Sequence, residues 1–122
     1  MAVGPSLSSA SKSELLYKTF GTPGILAKAG LQVSIITDAP VIPQEYLPLC
    51  AGLAVKAGMD PFDALRAITV NPARHIGIAD RVGSVEAGKD ADLVLTEGDI
   101  MDPASCVKAV LTDGAVRVSA GI

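Results

Sequence analysis

Among the side chains in this sequence that could do chemistry, Asp38 stands first. It ends the run Val33-Ser34-Ile35-Ile36-Thr37, whose β-branched residues fit a pleated surface buried on both faces, with Gly30 before it and Pro40 after it. The run reads as a buried parallel strand, and a carboxylate at the C-terminal tip of such a strand lies where α/β folds gather their chemistry. A plainer role stays open: Asp38 can simply cap the turn into Pro40. His75 is the single histidine. A Ser-His-Asp relay or a two-histidine zinc site therefore cannot be assembled from this chain alone, and beside Arg74 the ring reads as a packing or surface residue. Glu86, Asp90 and Asp92 suggest a cation cluster, but successive strand residues alternate faces, so a solvated turn is the better reading. The two cysteines, Cys50 and Cys106, have no Cys or His neighbour at metal spacing.

Composition narrows the partners. With 122 residues, 49% of them hydrophobic, the chain has the length and apolar content of one domain with a sizeable core. A formal net charge of -3 and 3% aromatic residues argue against nucleic acid or an anionic membrane as partner. Sparse cysteines point to a reduced, cytoplasmic protein. The start lacks a basic n-region with a long apolar segment, and no stretch approaches the ~20 apolar residues that span a bilayer.

The elements that must position these residues follow in chain order. Ala2-Val3 reads as the end of a short strand stopped by Gly4-Pro5, followed by a serine-rich loop from Ser6 to Ser13. Thr22 as N-cap, Pro23 at the first helical position and Gly30 as stop predict a short helix feeding the Val33 strand. Leu49, Cys50, Leu53, Ala54 and Ala57 predict a helix from Tyr46 to Ala57 with Pro48 in its first turn. Asp60-Pro61 repeats the cap, with Phe62, Leu65 and Ile68 on one side, and Asn71-Pro72 starts a third short helix that Gly77 stops. Beyond Asp80 the period changes to two. Ser84-Val85, Asp92 to Thr96, Val107 to Thr112 and Ala115 to Val118 read as strands, the last two joined by Asp113-Gly114, the type I′ hairpin signal.

Three passages resemble the C-terminal part of metal-dependent amidohydrolases, most of all the imidazolonepropionase-like members. Val33-Ser34-Ile35-Ile36-Thr37-Asp38 is similar to the family's eighth barrel strand with its closing aspartate. Ala64-Leu65-Arg66-Ala67-Ile68-Thr69-Val70-Asn71-Pro72-Ala73-Arg74 is similar to the helix that follows. Val82-Gly83-Ser84-Val85-Glu86-Ala87-Gly88-Lys89-Asp90-Ala91-Asp92-Leu93-Val94-Leu95 resembles a signature of the small β domain. The resemblance implies an α/β fold: a C-terminal fragment of a (β/α)8 barrel over residues 1–78, then part of a small β-sandwich over 79–122, with Gly4-Pro5 closing the seventh strand. It implies Asp38 as metal ligand and as acceptor of a proton from the attacking water. It implies a divalent metal, zinc, in the full-length enzyme, and hydrolysis of carbon-nitrogen bonds in cyclic amides or related small molecules. The family's His-x-His and its other metal ligands have no counterpart here, so the isolated chain is expected to bind no metal tightly and to be inactive. A noncatalytic binding or assembly module is the alternative. Open strand edges lead to an expectation of self-association.

Overall fold

The computed structural model describes residues 1–4, 6–7, 13 and 16–120. Pro5 and most of the serine-rich stretch lie outside the described residues. The first unit is built on two short parallel strands, β1 (Ala2–Val3) and β2 (Ser34–Ile35), paired Ala2 to Ser34 and Val3 to Ile35. Ser34 N donates to Met1 O at 2.8 Å and Ile36 N to Val3 O at 3.0 Å. The strand expected at Val33 is therefore parallel, and Val33, Ser34 and Ile35 are all buried.

Helix α1 (Thr22–Lys28) makes the crossover, and α2 (Leu47–Lys56), α3 (Pro61–Ala67) and α4 (Val70–His75) follow. The cap of α1 is Gly21 rather than Thr22, which lies inside the helix and makes no capping bond. At α3 the expected cap forms: the Asp60 carboxylate accepts from Asp63 N at 3.1 Å. Three of these helices end the same way. Gly30, Gly58 and Gly77 take positive φ, and the amides of Leu31, Met59 and Ile78 reach back to Leu26, Ala54 and Ala73 carbonyls at 3.1, 3.0 and 2.9 Å. This double-bonded stop satisfies carbonyls that a helix end leaves without partners.

The core is Ile35, Cys50, Ala51, Ala54, Met59, Ala64, Ala67 and Met101. Alanines let the helices approach closely, and α3 shows it. Its buried positions are Ala64 and Ala67, with Ile68 packed partly against the core, whereas Phe62 is 70% exposed. At Gly52 of α2 an added Cβ would overlap the Met101 carbonyl, so the loop carrying Met101 seats directly on helix backbone.

The second unit is an antiparallel sheet of β3 (Leu93–Glu97), β4 (Cys106–Thr112) and β5 (Ala115–Ser119) in sequence order. Asp113 (φ 51°) and Gly114 (φ 72°) form the two-residue turn between Thr112 and Ala115, as their types predict. Ser84-Val85 is a correction: these residues form no strand, and Val85 is 84% exposed. The loop there is held by side-chain bonds instead of a ladder.

Candidate active site

Asp38 lies three residues beyond the end of β2, at its C-terminal side. Thr37 is buried and Asp38 exposed, so the chain surfaces at this residue. The backbone at Asp38 is left-handed, φ 54°. Such a conformation costs a non-glycine residue on the order of 1–3 kcal/mol and clusters at functional sites, though aspartate tolerates it better than most. The turn that follows is closed by main chain, Val41 N donating to Asp38 O at 2.9 Å. Among the described residues the Asp38 carboxylate has no hydrogen bond or ion pair, which leaves the plainer capping role without a bond to support it. Its base is firmly placed: at Gly4, just after β1, an added Cβ would overlap the Ile36 carbonyl, so only glycine lets the two strands run this close beneath Asp38.

The opposite end of β2 is tied down. Asn71 Nδ2 donates to Val33 O at 2.8 Å, and His75 Nδ1 lies 2.7 Å from Ser34 Oγ. His75 Nε2 is 2.9 Å from the amino group of Met1. An ammonium only donates, so Nε2 accepts and Nδ1 carries the proton toward Ser34. His75 is thus a bridge between α4 and the start of β2, in line with the packing role expected for it.

The acidic residues further on are each engaged, as a turn requires. Asp90 Oδ2 accepts from Arg81 at 2.6 Å, and Asp92 Oδ1 accepts from Asp113 N at 2.8 Å. Glu86 Oε1 takes the Ser84 hydroxyl and lies 3.3 Å from Lys89 Nζ. The Ser84 hydroxyl first, then the bond and charge of Lys89, hold the Glu86 carboxyl below the ordinary glutamate range. Lys89 is the hub that sequence reasoning missed. Its side chain is 13% exposed, and Nζ donates to Ala79 O at 2.7 Å and to Ser84 Oγ. A lysine three residues after a glutamate and five after a serine, in a glycine-punctuated turn, was the available signal. Cys50 and Cys106 are free thiols; burial pushes the Cys50 thiol up, away from reactivity. Among the described residues no three His, Cys, Asp or Glu side chains group to hold a metal ion.

The amidohydrolase family model matches residues 16–118. An imidazolonepropionase from Geobacillus kaustophilus is 45% identical over 73 residues, 57% of this chain and 17% of that protein. An adenine deaminase from Methanosphaera stadtmanae is 42% identical over 52 residues, 43% of this chain and 9% of that protein. Among solved structures, an amidohydrolase from Thermotoga maritima superposes with a TM-score of 0.92 at 40% identity, over 98% of this chain and 31% of that one. The chain thus spans a minor part of the length of each relative.

Proposed function

The chain belongs to the amidohydrolase family, with imidazolonepropionase-like character, and from that premise we propose that it is the C-terminal share of a metal-dependent hydrolase of carbon-nitrogen bonds in cyclic amides or related small molecules. The observation that carries this reading is Asp38: an exposed carboxylate without a partner among the described residues, in a left-handed conformation just past a buried parallel strand. In barrel enzymes that end of the strands is the catalytic face. A carboxylate fixed there can take a proton from water as the water attacks an amide carbonyl, and can hand it to the departing nitrogen.

The donor set of this chain does not make a metal site. A divalent ion in such enzymes makes hydroxide available near neutral pH, but a catalytic zinc needs about three protein ligands and Asp38 is one. The others belong to polypeptide beyond this chain. In the same reading β1 and β2 are the seventh and eighth barrel strands, residues 1–78 belong to the barrel, and 79–122 to a β-sandwich. The register supports a missing layer: Val94, Val110 and Val118 align across the three strands, and Val94 and Val118 are 50% and 56% exposed. The same uncovered surface favours the second reading, a noncatalytic assembly module that self-associates through its sheet. Light scattering giving a clean monomer at micromolar concentration would remove that second reading.

The test of the first is a chimera. Grafted in place of the corresponding segment of the Thermotoga maritima amidohydrolase, this chain restores metal-dependent hydrolysis of that enzyme's substrate, and Asp38→Asn in the graft lowers the rate by at least about 100-fold. A graft that folds and is equally active with asparagine at position 38 refutes the assignment.

A further inference from the structure

A cleft of about 450 Å3 opens at the N-terminal end of β2, the end away from Asp38. Its lining includes the apolar Ala27, Leu31 and Met59 and the charged Arg66, Arg74 and Asp63. Two arginines against one aspartate leave a positive rim on a chain whose formal net charge is -3. The cleft already receives a carboxylate, the protein's own: Arg66 Nη1 lies 3.4 Å from Asp63 Oδ1. That pair is long, and its side chains are 59% and 46% exposed, so water competes for both partners and a ligand can replace one of them. Arg74 makes no hydrogen bond or ion pair among the described residues; its charge is felt by Glu86. Asn71, also in the lining, is fixed by its bond to Val33 O, whereas its contact with Gln32 Nε2 is loose at 3.5 Å.

We propose that this cleft binds a small organic carboxylate with a short apolar body. The planar guanidinium of Arg74 takes the head group in a paired fork, and Arg66 turns from Asp63 to the same oxyanion. The apolar body lies against Ala27, Leu31 and Met59. The inference does not depend on Asp38 or on the hydrolase reading, and it is tested on the chain as it is.

The experiment is a titration of the full chain, followed by amide NMR shifts at low ionic strength, with butyrate in one arm and inorganic phosphate in the other. Butyrate is expected to saturate shifts at residues 30–33, 66 and 74 with a Kd on the order of 1 mM, as befits so small a ligand. Phosphate offers an oxyanion without an apolar body and is expected to bind several-fold more weakly. Arg74→Gln weakens butyrate roughly tenfold, one charged hydrogen-bonded contact. Asp63→Asn, which removes the internal competitor, tightens it. Arg74 is exposed, so its replacement leaves the fold intact. Absence of saturation, phosphate binding as tightly as butyrate, or an Arg74→Gln variant with unchanged affinity overturns the proposal.

Discussion

The helical half buries its apolar residues, and the three-stranded sheet leaves most of its own exposed. Around β2 the chain buries Val33, Ile35, Cys50, Ala51, Ala54, Met59, Ala64 and Ala67. Within β3, β4 and β5 only Ala109 is buried, while Val94, Leu95, Val107, Val116 and Val118 are 46–61% exposed. A sheet is stable when a second layer covers its apolar face, and in the first half helices do so. In the second half the covering within this chain is slight: the connection between β3 and β4 seats Met101 on Gly52, and Lys89 closes the loop leading into β3 onto itself.

That contrast can be broken or sharpened by substitution. The largest effect is expected from Gly52→Val, because the new side chain must displace the Met101 carbonyl. Overpacking of this kind costs about 2–3 kcal/mol. Urea denaturation should show the loss, and hydrogen exchange should place the opening at residues 98–105; a change under about 0.5 kcal/mol would mean that the seam is not tight. Next comes Lys89→Met, which keeps the stem and removes the ammonium from the Ala79 carbonyl and the Ser84 hydroxyl. The expected loss is about 2 kcal/mol, the range of a hydrogen bond to a charged group. It should fall on the sheet half, leaving amide protection in α2 and α3 unchanged.

The smallest effect concerns pH. Glu86 is held below the ordinary glutamate value, chiefly by the Ser84 hydroxyl and then by Lys89. A depressed folded value means that the carboxylate's contribution is present above the unfolded pKa of about 4.3 and is lost as pH falls toward the folded value. Acid unfolding followed below pH 5 should therefore be shallower in Glu86→Gln than in the parent chain, and coincident curves would show the bond to be without weight.

What could be read from the sequence divides along physical lines. Where one residue type is demanded by backbone geometry, sequence and structure agree: Asp113-Gly114 at the hairpin, Gly30 and Gly77 at helix ends, and Asp60 as a cap. The strand before Asp38 was legible because a β-branched run between Gly30 and Pro40 has few other uses. Ser84-Val85 looked like a strand because alternation alone cannot show that Lys89 satisfies the loop's polar groups better than a ladder would. On α3 the large residues drew attention, yet close helix packing buried the small ones, Ala64 and Ala67. Nothing in the pattern disclosed the tie from His75 to Ser34, which spans 41 residues of sequence.

Under the proposed function Asp38 is one ligand of a site completed by other polypeptide. Equilibrium dialysis of the purified chain against zinc tests it most directly. Far less than one tightly held ion per chain is expected, with no difference between the parent and Asp38→Asn. One tightly bound zinc per chain, lost in Asp38→Asn, would contradict it.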